Sequence, residues 1–345
     1  MVFLDVLKDW QPFQLDALGL VTLFGAKEMN TAIGNLIQSW VTEWLPILGS
    51  YAVANDEIKS LEPGFVLYNV TDGIVATDVS AWFTRWLNSY PLTYASTTVT
   101  VTLDRGTVPA LQRVYSMIIG FLTCGFLLIF AIVLKDWWGV ANNAALCLTV
   151  LIRQQMVTEL RSALDKTLDD LGADHGDEIK IYLTIPSGKA VTIRGPRKVI
   201  VKCMVTDPRP LNPKYYYFLR VAGWGTFGVH AISLSMTALV NQILSVVTLL
   251  VGTYLTGSHV GDCRGVIGNR LRLGVDLGDP SWTRSSAYAR LDMSQAEENI
   301  MVSWGLMPQR LNTSWWKNYR EMCCRDSETT EVEASVSKRR RATVV

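Results

Sequence analysis

Apolar residues along the chain gather into a few long runs, separated by stretches in which they alternate or recur at helical spacing. Residues 114–134 are 21 positions without a charge, bounded by Arg113 and Lys135. At ~1.5 Å per residue they cover about the ~30 Å hydrocarbon thickness of a bilayer. Residues 221–257 form a second run whose sole ionisable group is His230. It has no Pro or Gly between Gly228 and Gly252 to turn it back, so it predicts one long tilted helix. Residues 139–157, entered through Trp137 and Trp138, reach spanning length if Arg153 snorkels, the alternative being a re-entrant or surface helix. In residues 31–54, Ile33, Leu36, Ile37, Trp40, Val41, Trp44, Leu45 and Leu48 recur at helical spacing opposite Asn35, Gln38, Thr42 and Glu43. This predicts an amphipathic helix lying in the interface or on the bundle, with a span as the alternative.

Between the runs the pattern changes. Residues 159–170 read as a polar helix, followed by three strand-like pieces broken at Pro186–Ser187–Gly188 and Gly195–Pro196–Arg197. Ile179, Ile181, Leu183 and Ile185 alternate with Lys180, Tyr182 and Thr184, predicting a small antiparallel sheet with one apolar and one wet face. Residues 258–345 read as a tail: helical over 293–306, aromatic over 312–319, and disordered at its charged end. The predicted fold class is therefore a mainly α-helical transmembrane protein with a small antiparallel β module in an extramembrane loop. Its regions are 1–112, 113–157, 158–220, 221–257 and 258–345.

Composition supports that picture. The chain is 49% hydrophobic and only 18% charged, against roughly 25% charged in ordinary soluble domains. With 32 Lys and Arg against 31 Asp and Glu it has no net field to draw it onto nucleic acid. The six cysteines show neither paired nor metal-ligand spacing, so no disulfide scaffold or structural metal is expected. Residues 1–10 lack the basic start and apolar centre of a cleaved signal peptide.

Charge counts give a conflicted topology. Residues 1–112 hold five Lys/Arg and eleven Asp/Glu, 153–220 hold twelve and eight, and 258–345 hold thirteen and eleven. The positive-inside rule then places residues 55–112 outside, with Asn69 of Asn69–Val70–Thr71 as a glycosylation acceptor. Three spans put the tail in the cytosol, where Lys338–Arg341 suit an anionic leaflet, yet the basic 153–220 segment would lie outside.

Five stretches carry a resemblance: residues 135–153 (KDWWGVANNAALCLTVLIR), 187–210 (SGKAVTIRGPRKVIVKCMVTDPRP), 223–236, and the segments AYARLDMSQAEE and WGLMPQRLNTSWWKNYR. Over about residues 110–320 the chain resembles uncharacterised multi-pass membrane proteins of filamentous fungi. The resemblance implies membrane embedding and carries no catalytic or ligand residue.

Few motifs point to chemistry. Gly223–Gly228 fits GxGxxG, but it opens an apolar helix outside any βαβ unit and reads as close helix packing. HExxH, GxSxG and the P-loop are absent. Asp169, Asp170, Asp174, His175, Asp177 and Glu178 read as a solvated acidic turn without calcium-loop spacing. Tyr288–Leu291 fits a sorting pattern, Cys323–Cys324 a palmitoylation pair, and Trp315–Trp316–Lys317 a headgroup contact or packing on the small sheet. The candidate site is intramembrane and polar: His230, Asn241 and Gln242 on the last run, Asn142 and Asn143 on the run before it. These bond helices together or, in an oligomer, line a path. The expected function is a non-enzymatic structural or interaction protein without a cofactor, with an oligomeric transporter or a membrane-bound accessory enzyme as alternatives. Its expected partners are the lipid bilayer, proteins reached through the β module and the tail, and a second copy of itself.

Overall fold

A computed structural model describes residues 10, 26–49, 51–95, 97–103, 110–172, 175–278 and 283–324. The elements run α1 (Ala26–Gly34), β1 (Ile37–Ser39), α2 (Tyr51–Ala54), β2 (Val66–Asn69), β3 (Ile74–Ala76), α3 (Ala81–Ser89) and β4 (Thr97–Leu103). Then come α4 (Ala110–Val133), α5 (Trp137–Asp170), β5 (Glu178–Thr184), β6 (Ala190–Pro196) and α6 (Arg197–Ile200), which runs into a π-helical turn, Val201–Val205. The last described part holds α7 (Pro213–Met236), α8 (Leu239–Gly257), β7 (Asp262–Ile267), β8 (Leu271–Asp276), α9 (Arg284–Arg290) and α10 (Gln295–Ser303). A helix over 313–324, α11, follows.

The eight strands form one mixed sheet in the order β1-β7-β8-β4-β6-β5-β2-β3. Only β4 and β6 run parallel, in register Thr97 to Val191. This overturns the mainly helical class with a small loop module. The sheet draws four strands from the first hundred residues, two from the middle loop and two from the supposed tail, so it is a principal layer of the fold. The alternation of Thr97–Leu103 (TTVTVTL) is strand-forming, and Leu271–Asp276 repeats it.

One face of the sheet packs on the C-terminal half of α5 and on α3: Met156, Val157, Leu160, Leu164 and Leu168 meet Val99, Ile179, Ile181, Leu183 and Ile193, with Trp82 and Trp86 closing the side. The other face is covered as well. Tyr182, predicted to be wet, is fully buried beneath Tyr288, Met301, Trp316 and Tyr319 of α9, α10 and α11. The expected tail, residues 258–345, is therefore part of the folded body as far as residue 324.

The bundle also departs from expectation. Residues 221–257 are not one helix but the hairpin of α7 and α8, broken at Thr237 and Ala238. Residues 31–54 are not one amphipathic helix either. Helix α1 ends at Gly34, where a Cβ would lie 2.4 Å from Cδ of Arg85. Ile37–Ser39 then pairs with β7, and an irregular segment follows. The helical spacing was genuine, but its apolar side chains are shared between sheet core and bundle. Residues 139–157 belong to α5, a continuous 34-residue helix, about 51 Å long, that begins in the bundle and ends in the sheet core.

Candidate functional site

The candidate site is the polar seam inside the bundle of α4, α5, α7 and α8. It begins at the tight turn between α4 and α5, where Lys135 takes φ 55° and brings the chain back. Asp136 caps α5 there, Oδ1 accepting from the backbone N–H of Gly139 at 3.0 Å. Its other oxygen crosses to the second hairpin and accepts from the Ala238 N–H at 2.9 Å, from Asn241 Nδ2 at 2.7 Å and from the Thr237 hydroxyl. One carboxylate thus caps α5 and also takes the N–H that precedes α8. Burial would push Asp136 up, but these four donors outweigh it and hold the carboxyl below the ordinary aspartate range. Gly139 makes the approach possible: a Cβ there would lie 2.6 Å from Asn241 Nδ2.

About two turns further in, Asn142, Asn143, His230 and Ser245 form a second cluster. His230 Nδ1 lies 2.7 Å from Asn142 Oδ1, and Asn142 Nδ2 donates to Ser245 Oγ at 3.1 Å. Asn143 Nδ2 donates to the Leu127 carbonyl at 2.8 Å, so α4 is tied in as well. The amide of Asn142 is committed as donor to Ser245 and Asn143, so its oxygen is the acceptor and His230 carries the proton on Nδ1. The predicted residues therefore fall into two groups: His230, Asn142 and Asn143 in this cluster, Asn241 at Asp136, and Gln242 donating to the Thr237 carbonyl. His230 Nε2 and Asn241 Oδ1 are buried without a partner.

Toward the sheet, the seam is interrupted by an apolar layer of Leu48, Leu127, Leu146, Val246 and Leu249. Beyond it lies a feature that the sequence did not announce. The irregular segment 40–49 wedges between α4, α5 and α8. Gly120 and Gly252 admit it, since a Cβ at Gly252 would lie 2.1 Å from the Pro46 carbonyl oxygen and one at Gly120 2.4 Å from Cβ of Trp44. Helices are the usual answer for backbone away from water, and irregular chain survives only where its polar groups find partners. Arg153 supplies them: its Nη2 donates to the carbonyls of Glu43 at 2.6 Å and Leu45 at 2.9 Å. Thr253 Oγ1 accepts from the Leu48 N–H at 2.8 Å, and Gln154 also donates to Glu43. Arg153 does not snorkel. It is buried, with 4% of its surface exposed. Beside it Arg161 pairs with the Glu43 carboxylate and donates to the Leu36 carbonyl at 3.0 Å. A polar cavity of about 40 Å³, lined by Arg153, Arg161, Glu43, Thr42, Thr256 and Asp262, remains between them, room for two or three waters.

The other predicted features go elsewhere. Asn69 is buried in the β2–β3 turn, its Nδ2 donating to Asp72 at 2.8 Å, and is not displayed as an acceptor. Of the Gly223–Gly228 motif, Gly223 packs against Ala54, whereas a Cβ at Gly225 or Gly228 would meet nothing within 4 Å, so the expected close packing holds at the first glycine alone. In the acidic turn Asp169 pairs with Arg270, and Asp174 lies outside the described residues. Tyr288 of the sorting pattern is buried, and Trp316 packs under the guanidinium of Arg310 rather than on a membrane. Lys338–Arg341 lie outside the described residues. No group of three or more metal-ligating side chains occurs among those that are described. Comparison with family models, curated protein sequences and solved structures gives no match.

Two helices, Leu111–Val133 and Leu239–Gly257, are long and apolar enough to cross a membrane.

Proposed function

We propose that the protein is seated in a bilayer by this bundle and acts as a non-enzymatic structural or interaction protein, presenting the sheet domain at one membrane face. The observation that carries the reading is a change in the exposed face along α5. In its first half the exposed side chains are apolar, Trp137, Trp138, Leu148 and Leu151, while Asn142 and Asn143 are buried beside Ala145, Leu146 and Val150. In its second half the exposed side chains are polar, Gln155, Thr158, Lys166 and Asp169, while Met156, Leu160, Leu164 and Leu168 are buried beside Gln154 and Arg161. Water on both halves would reward only the second. A core helix of a water-soluble body is mostly buried, whereas only 22% of the apolar window of α4 and 39% of that of α8 are buried. Phe121 and Leu122 of α4 are 81% and 66% exposed.

Both hairpins start and finish at the sheet, so the sheet and the three segments that build it share one side. That supports a simpler orientation than counting segments separately. Among the described residues Lys135 is the one Lys or Arg at the far turns, and the positive-inside rule then favours a cytosolic sheet domain. The fungal resemblance over residues 110–320 agrees with membrane seating. Bonded interhelical side chains and the apolar layer support cohesion over conduction.

Carbonate washing tests the seating, and maleimide labelling of Lys135→Cys and of native Cys324 in sealed vesicles tests the orientation. Retention in the pellet with the two positions labelled from opposite sides is expected; release into the supernatant ends the proposal. Conduction is the second reading, favoured by the unpartnered His230 Nε2 and Asn241 Oδ1. It requires solute flux in liposomes that falls in His230→Ala.

A further inference from the structure

The segment that leads into α7 carries an interaction surface of its own. From Val201 to Phe218 the exposed side chains alternate between two kinds: Val201, Leu211, Tyr217 and Phe218 are 41%, 46%, 66% and 63% exposed, and Lys202, Arg209 and Lys214 are exposed between them. Among the described residues none of these three cations makes an ion pair or hydrogen bond. The carboxylates nearby are engaged elsewhere. Asp207 accepts from the Ala81 N–H at 2.6 Å, Glu159 from the Asn212 N–H at 3.4 Å, and Asp56 is held by Lys59, Arg220 and the Tyr216 hydroxyl. The strip therefore carries three cations that form no ion pair, with Asp207 and Glu159 as the carboxylates beside it, and it is stiffened by Pro208, Pro210 and Pro213.

Depth along α7 fixes where Lys214 sits. Counting back from the break at Thr237, about 20 residues fill the hydrocarbon, which brings Tyr217 and Phe218 to the boundary and Lys214 a turn beyond it. Aromatic rings favour that boundary, and cations just outside it meet lipid phosphates. We propose that Lys202, Arg209 and Lys214 bind the headgroups of anionic phospholipids in the leaflet facing the sheet domain, with Tyr217 and Phe218 set at the ends of the acyl chains. The inference rests on the membrane reading and adds lipid selectivity to it.

The test uses the full chain reconstituted into phosphatidylcholine vesicles containing about 20% phosphatidylserine, re-extracted in mild detergent, with retained lipids counted by native mass spectrometry. Retained phosphatidylserine should exceed its share of the vesicle by about threefold or more. In Lys202→Gln/Arg209→Gln/Lys214→Gln it should fall to that share. Since these side chains make no hydrogen bond or ion pair among the described residues, the variant should keep its thermal midpoint and its carbonate resistance. Lys202→Arg/Lys214→Arg should keep the enrichment. Parity in the unaltered protein, or equal enrichment in the triple variant, overturns the proposal. Release of the unaltered protein by carbonate would instead mark failure of the membrane reading beneath it.

Discussion

The two halves of α5 place the same backbone in opposite surroundings. Before Arg153 the helix turns apolar residues outward and adds hydrogen bonds from Asn142 and Asn143 to the packing of Leu146 and Val150; after it, apolar side chains interlock with the sheet and polar or charged ones face outward. Where lipid surrounds a helix, burying a leucine gains little and a paired asparagine is the directional contact available; where water surrounds it, the order reverses. Two buried arginines repeat the lesson. Arg85, in the sheet domain, directs all five N–H groups to Asn30, Ser60, Ala81 and Glu57, which fixes α3 to the loop before β2. Burial still draws its pKa below the ordinary arginine value. Arg153, at the crossover, uses one nitrogen on the wedge and turns the rest of its guanidinium toward the cavity.

The contrast can be broken at its strongest point first. Asp136→Ala strands four donors inside the bundle and should cost about 3–5 kcal/mol, read as loss of the folded species in detergent thermal melts; Asp136→Asn should recover part of it. Because the folded pKa of Asp136 lies below the unfolded one, its contribution is complete above ~pH 4 and fades as acid takes the carboxylate through its folded value. Glu297, held down by Ser294 and Lys180 against the upward pull of burial, titrates with the same sign in the sheet domain. Both regions should therefore loosen in acid, and acid stability in Asp136→Ala equal to that of the parent would contradict the assignment. Next, Leu148→Lys puts a charge on the outward face of the first half and should cost ~2.5–3.5 kcal/mol of insertion, measured by the carbonate-resistant fraction. Gly252→Ala should push on the Pro46 carbonyl and cost ~1–3 kcal/mol, visible as a lowered midpoint. Lys166→Leu, on the outward face of the second half, should stay within ~0.5 kcal/mol. If Leu148→Lys proved as harmless as Lys166→Leu, the two halves would share one solvent.

Legibility in the sequence followed the range of the forces involved. Helix α4 was readable because 21 uncharged residues in a row admit few alternatives. The hairpin at Thr237 was not, since no Gly or Pro marks it and its cap, Asp136, lies 101 residues away. The alternation in β5 and β6 was visible; that in β4 and β8 was equally present, but strands scattered among helices give no hint that they share one sheet. Asn142, Asn143, His230, Asn241 and Gln242 could be chosen because polar groups in apolar runs demand partners, yet which partners they took depended on helix order. Asp136 and Arg153 looked like flanking charges, and only the packed bundle gave them their roles. The wedge at 40–49 was concealed by a helical rhythm whose residues serve two different cores.

The carboxylate shared by the two hairpins also constrains biogenesis. On the membrane reading proposed above, Asp136 and Asn142 enter the bilayer with the first hairpin while their partners Thr237, Asn241 and Ser245 are still untranslated. For that interval the nascent chain carries a carboxylate and amides without their bundle partners.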